Sequence, residues 1–298
     1  MEMLQEAINL YEQGQLNKAE DILDYLKNED NKNPEVFYYL GCISLEKDEY
    51  EKAIDYLEKS IKIDNSQAKS YEKLGEALGL KSRKVNILKA ARTVGKVKNA
   101  FQKALELDPQ NLGAREGLFT LYLFAPPMAG GDPEKADALM AEIEAINPAH
   151  GLIARAMKLL KEQNLPEVDR TFVKAAELGK DDADIQMRVA RYFMDRKDFR
   201  KALNSIDQFI QLKPEDPSGY LTKGEILSKM NRDDEALENF SKAIEKDAQN
   251  LRAHYQRALH YHFQQKNDLA KQDLKFIIEQ GGKHPLRDRA KKLLKEIK

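Results

Sequence analysis

Apolar and small residues recur along this chain in a text that is written more than once. Between Pro34 and Asn65, Phe37, Leu40 and Gly41 are followed by Tyr50, Ala53, Leu57 and Ser60. Between Pro217 and Ala248, Tyr220, Gly224 and Leu227 are followed by Ala236, Phe240 and Ala243. Gly41 to Ala53 is 12 residues, and Gly224 to Ala236 is also 12. The steps of three and four are those of a helix face, so each copy predicts two helices packed on each other. Asn33-Pro34, Asp108-Pro109, Asn147-Pro148 and Lys213-Pro214 mark junctions between copies.

This text resembles the tetratricopeptide repeat (TPR), a helix–turn–helix unit of 34 residues. Ala7, Ala19 and Leu23 place a first repeat at 1–33, and the second is 34–67. The third, 68–111, opens with Tyr71, Leu74 and Gly75 and closes with Phe101 and Ala104. Leu118, Tyr122 and Ala136 mark 112–149; Ala156, Phe172 and Ala175 mark 150–182; Ala190, Phe199 and Ala202 mark 183–216. The Gly224 copy is 217–250, and Ala258, Tyr261, Ala270 and Leu274 mark 251–284. A last amphipathic helix, 286–298, has the pattern of a cap, with Ala290, Leu293 and Leu294 inward and Lys291, Lys292 and Lys295 outward. The resemblance implies an all-α fold: one right-handed superhelix, or α-solenoid, of about eight repeats over 1–298. Small residues sit where paired helices approach most closely, and aromatic residues fill the gaps between repeats.

Composition fits this reading. Of 298 residues, 33% are charged and 42% hydrophobic, with 15 Gly, 10 Pro, one Cys and no Trp, as expected of a helical chain able to bury a core. The net charge of −1 excludes a uniformly basic nucleic-acid binder. It also hides an asymmetry. Residues 1–66 hold 7 basic and 16 acidic residues, whereas 250–298 hold 12 and 5. Opposite ends favour a monomer, or weak head-to-tail self-association that salt would screen. No apolar run reaches the length of a membrane span. The opening residues lack a signal peptide, so the expected location is cytoplasmic as written, or periplasmic had a signal been removed.

Two stretches break the 34-residue period. Gly75 to Ala104 spans 29 residues, against 19 from Gly41 to Ser60. The extra residues lie in a basic insertion, 81–98, whose Lys81, Arg83, Lys84, Lys89, Arg92, Lys96 and Lys98 are accompanied by no acid. One or both helices of this repeat are expected to be extended. The insertion reads either as a solvated basic face or as a docking surface for an acidic partner or anionic lipid. The second stretch is the Pro/Gly loop 125–133, in which Pro126 and Pro127 stop a helix, Gly130-Gly131 permits positive φ, and Asp132-Pro133 starts the next helix. It reads as a rigid reorienting loop or as a ligand-binding loop. The combination of both stretches is similar to that of a group of bacterial TPR proteins, many of them exported.

No catalytic motif is present. His150, His254, His260, His262 and His284 include no i,i+4 pair, so no metal site is expected, and the helix histidines are expected to be partly exposed. Cys42 has no histidine near it in sequence and reads as a wall residue. No nucleotide or hydrolase fingerprint occurs, so no cofactor and no enzyme activity are expected.

In the family, the first helix of each repeat lines the concave groove. Carried onto this chain, the groove positions are Tyr38, Cys42, Glu72, Glu76, Glu116, Ile153, Met157, Met187, Arg191, Met194, Leu221, Arg252, Tyr255 and His262. Some of the Met and Leu residues are alternatively core between neighbouring repeats. The Lys/Asn/Arg clamp for a partner's C-terminal carboxylate is not matched, since the corresponding positions hold Met187, Arg191, Thr222, Arg252 and Gln256. The expected function is a non-catalytic scaffold or adaptor that takes a protein segment, as a peptide or amphipathic helix, in the groove. The alternative is nucleic-acid or anionic-surface binding through 81–98 and the basic C-terminus. Lys81–Lys98 lacks the aromatic residues that base stacking needs, which makes nucleic acid the weaker form of it.

Overall fold

The structure, a computed structural model, describes residues 2–82, 87–282 and 284–297, with the backbone alone over 87–92. Among the described residues there are seventeen α-helices and no strand. They follow as hairpins: α1 (Glu2–Glu12) and α2 (Leu16–Glu29); α3 (Pro34–Glu46) and α4 (Tyr50–Ile63); α5 (Ala68–Ser82) and α6 (Ile87–Leu107); α7 (Leu112–Phe124) and α8 (Pro133–Ile146). Then come α9 (Pro148–Lys161) and α10 (Leu165–Leu178); α11 (Ala183–Asp195) and α12 (Phe199–Leu212); α13 (Pro217–Lys229) and α14 (Asp233–Lys246); α15 (Leu251–Phe263) and α16 (Asn267–Gln280). α17 (Pro285–Glu296) packs on α16 and α15. The fold is an all-α solenoid of helical repeats.

The helices group into two compact units. One is Met1–Tyr11 with Lys18–Gly179, and the other is Lys180–Lys298 with Glu12–Asn17. Within the first unit α3 meets α5, α5 meets α7 and α7 meets α9; within the second α11 meets α13 and α15 meets α17. No pairing of similar extent joins successive second helices among the described residues. The first helices of the hairpins therefore stand on the inner side of each unit's curvature.

Starts and stops are local chemistry. The side chains of Asn33, Asn111, Asn147, Asp182, Asp216 and Asn250 each accept a backbone N–H in the first turn of α3, α7, α9, α11, α13 and α15. Pro34, Pro148 and Pro217 sit in those first turns, where no donor is needed. Most first helices end in a left-handed residue: Gly14, Asp48, Gln163, Lys197, Asn231 and Gln265. After α3, Asp48 N–H donates to Leu45 O (3.0 Å) and Glu49 N–H to Ser44 O (2.8 Å), a Schellman cap. The same pair of bonds follows α9, α11, α13 and α15. Gly14 to Asp48 is 34 residues, as is each step from Gln163 to Lys197, Asn231 and Gln265. Asp48 to Gln163 is 115 residues, three periods plus 13. This register was not visible as a sequence motif because five different residue types fill it.

Packing is set by small residues facing large ones. A Cβ on Gly224 would lie 2.5 Å from the Phe240 ring, and one on Gly75 2.7 Å from the Phe101 ring. Phe240 is fully buried and Phe101 nearly so. Ala53, Ala104, Ala202, Ala236 and Ala270 have no exposed surface, as the close contacts require.

The third hairpin is extended in its second helix: α6 has 21 residues, against 14 in α4, α8 and α10. Arg83, Lys84, Lys89 and Arg92 of the basic insertion lie outside the described side chains, as do Val85, Leu88 and Ala91. Lys81 pairs with Glu51 at 3.3 Å, Lys96 is exposed, and Lys98 lies over the Tyr122 ring. The Pro/Gly loop is a 3-10 turn, Pro127–Ala129, ended by Gly130 at φ 92°. Asp132 caps α8 through the Lys135 N–H (3.1 Å), and Pro133 is its first residue.

Candidate partner-binding groove

On the inner face of the first unit, polar side chains from successive first helices join end to end. Tyr38 of α3 bonds Cys42 one turn later, and Lys69 of α5 lies over its ring at 4.4 Å. Lys73 bonds Glu76 at 2.8 Å and lies 3.7 Å from Glu72. Glu72 accepts from the Asn111 side-chain amide (3.0 Å) at the start of α7. Glu116, one helical turn and a half further on, bonds His150 Nδ1 of α9 at 2.7 Å. A cavity of about 190 Å³ opens in this face, lined by Tyr11, Cys42, Leu45, Glu46, Lys73 and Glu76.

The electrostatics follow from partial burial. Burial works against the Lys73 ammonium, but Glu76 and Glu72 beside it hold it above the usual lysine range. Burial raises the Tyr11 hydroxyl, with Cys42 and Glu46 adding to the effect, and burial likewise raises Tyr38. Burial pushes the Cys42 thiol up to about 12, although Lys73 pulls the other way. Cys42 is thus a neutral wall of the cavity, without the lowered pKa that a nucleophile needs.

The second unit presents a different inner face. Arg191 is exposed, and Met194 is half-buried. Arg252 pairs with Glu225 at 2.7 Å, Tyr255 is packed against the C-terminal core, and His262 Nδ1 lies 3.2 Å from Asn267 Oδ1. Four expected groove residues are instead buried: Cys42, already described, and Ile153 in the first unit, and Met187 and Leu221 in the second. Ile153 is 2% exposed, and Met187 and Leu221 are each 8% exposed. Thr222 Oγ1 donates to the Met187 sulfur at 3.8 Å, so α13 closes over Met187 of α11. Met157 is half-buried against the core of the first unit.

Two histidines also depart from the expected partial exposure. His150 is buried against Glu116, and His254 is buried at the centre of a network. His254 Nδ1 meets Asp273 Oδ1 at 2.6 Å and Nε2 meets the Ala248 carbonyl at 3.1 Å, with the ring stacked on Phe276. Arg257 clasps the same carboxylate through Nε (2.9 Å) and a terminal nitrogen (2.8 Å). Burial opposes the Asp273 charge, but the bonds from Arg257 and His254 prevail and hold the carboxyl below the usual range. This network ties α15 to α16.

Tyr11, Glu46, Lys73 and Asn111 belong to the polar face and were not among the expected residues. Lys73 and Asn111 had a signal, since each lies at the same helical height as an expected neighbour. Tyr11 had none, because only packing brings α1 to α3.

Comparison with known proteins agrees with this architecture. Family models of the tetratricopeptide repeat match residues 34–67 and 187–250. The peroxisomal targeting signal receptor of Saccharomyces cerevisiae is 24% identical over 268 residues, covering 82% of this chain and 41% of the receptor. The chain thus spans about two-fifths of that relative's length. Among solved structures, yeast Tom70 superposes with a TM-score of 0.63 at 16% identity, over 95% of this chain and 58% of that one. A thermophilic TPR protein of Thermus thermophilus gives 0.55 at 19% identity, over 64% of this chain and 96% of the other. The matched segments lie on α3–α4 and on α11–α14, and the hairpins between and around them are built alike. The chain thus carries tetratricopeptide repeats over these segments, within a fold similar to that of tetratricopeptide repeat proteins.

Proposed function

We propose that this protein is a non-catalytic interaction scaffold whose inner helices receive an extended peptide or amphipathic helix of a protein partner. The observation that carries the reading is the polar face from Tyr38 to His150, with its cavity between Tyr11 and Glu76. Fixed carboxylates, tyrosines and two lysines on rigid helices offer oriented hydrogen bonds and a net negative charge to a bound segment. The relative named a targeting-signal receptor gives this reading a precedent within the family. Within the first unit, buried Ile153 acts as support, while Glu76 faces the ligand.

The test is peptide-library selection on the full chain, followed by affinity measurement on the selected peptides. Glu76→Lys is expected to weaken binding about tenfold, as reversal of a contacting charge does. Lys292→Glu on the outer face of α17 is expected to leave it unchanged. Equal effects of the two substitutions, or no selectable peptide, would remove the inner face from the mechanism.

A further inference from the structure

The two stretches that break the repeat period meet in space. Val94 of the basic insertion stands against Gly130 of the Pro/Gly loop; a Cβ there would be 3.6 Å from the valine methyl. One helical turn on, Lys98 lies 6.0 Å from the Tyr122 ring, just beneath the loop. Lys135 of α8 stands 5.7 Å from the same ring, and the Lys161 ammonium of α9 bonds the Leu123 carbonyl. Three helices thus each deliver a lysine to the last turn of α7.

The loop they surround has an unusual surface. From Phe124 to Gly131 no side chain carries a charge or a hydrogen-bonding group. Met128 at the tip is 94% exposed and Phe124 is 50% exposed, with Pro126 and Pro127 also exposed. The backbone is largely satisfied internally: Ala129 and Gly131 N–H donate to Pro126 O, Gly130 N–H to Pro127 O and Asp132 N–H to Tyr122 O. The two prolines have no donor to satisfy. Gly131 lies so close to the Ala125 carbonyl that a side chain there would clash, which fixes the loop's closure. Leaving water therefore costs this loop little, and its apolar tip gains by it.

We infer that this knob and its lysine collar dock on an anionic lipid surface, with Met128 and Phe124 entering the interface and the lysines facing headgroups. A convex apolar tip suits a deformable bilayer, which needs no matching pocket, and the collar supplies the charge complementarity. Around the loop stand Lys98, Lys135, Lys158 and Lys161 against Asp132, Glu134 and Asp137. Asp132 is already paired with Lys135 and Asp137 with Lys158, each at 2.6 Å. α6 itself has five basic residues and a single acid, Glu106, in its last turn.

Sedimentation of the full chain with phosphatidylcholine vesicles containing phosphatidylglycerol, against vesicles of phosphatidylcholine alone, tests this. Binding is expected only to the anionic vesicles, and it should fall as salt is added. Met128→Asp should reduce it by about tenfold or more and Lys161→Ala by about fivefold. Both positions are exposed, and an unchanged helical circular-dichroism spectrum verifies the fold; Met128→Gln serves if the aspartate disturbs it. No binding to either vesicle, or full binding by both Met128 variants, would overturn the inference. Retention on immobilised polyglutamate without vesicle binding would overturn it in favour of an acidic protein partner.

Discussion

From α11 to α16 every hairpin closes through the same Schellman turn, with Lys197, Asn231 and Gln265 in the left-handed conformation. Between α7 and α8 the closure is different, a loop ended by Gly130, and the hairpin before it carries the basic insertion. The stacking is nevertheless the same in both stretches. Gly75 faces Phe101 as Gly224 faces Phe240. The repeat is thus specified by the contact between paired helices, and the turns are free to change. That freedom is what allows an apolar knob and a basic helix to be added without disturbing the array.

If packing dominates, the largest losses should come from the aromatic residues. Phe240→Ala and Phe101→Ala are each expected to cost about 4 kcal/mol in urea unfolding, with similar effects in the regular and the interrupted stretch. A much smaller cost for Phe101 would show that the interrupted hairpins stack differently. Asp273→Asn should cost about 3 kcal/mol, because Arg257 and His254 would be left buried without their anion. This contribution has a pH signature. The folded-state pKa of Asp273 is depressed, so its stabilisation is complete above the ordinary carboxyl range. It is lost as pH falls below about 4 through the folded value. Wild type and Asp273→Asn should therefore converge in thermal stability in acid; a constant gap would remove the ionised carboxylate from the account. Gly224→Ala and Gly75→Ala should each cost about 2 kcal/mol, as the added methyl meets a buried ring. The smallest effect has the opposite sign. Lys197→Gly and Gln265→Gly relieve a left-handed side chain and should stabilise by about 1 kcal/mol, measured as a rise in melting temperature.

Much of this was legible in the chain itself. The Gly41/Ala53 and Gly224/Ala236 spacings located hairpins, and the Asn-Pro and Asp-Pro pairs located helix starts, because capping and close approach constrain residue type locally. The extension in the third hairpin was legible as excess length, although only the structure assigned it to α6. The inner face was only half legible. Glu72, Glu76 and Glu116 could be placed on it from their helix positions. Whether Ile153, Met187 and Leu221 face a partner or a neighbouring helix depends on how far successive first helices close, which no single hairpin encodes. His254 looked like a surface histidine because its partner Asp273 lies 19 residues away on the next helix.

The sequence by itself determined the repeat unit, the helix boundaries and the small-against-large code, since all of these arise from interactions within about 34 residues. Tertiary structure alone decided which side chains meet across helices. It joined Tyr11 to the cavity beside Cys42, buried His254 on Asp273, and set the basic insertion against the Pro/Gly loop at Val94 and Gly130. Those contacts depend on the rotation of one helix against the next, and a few degrees of rotation change the neighbours without changing the pattern.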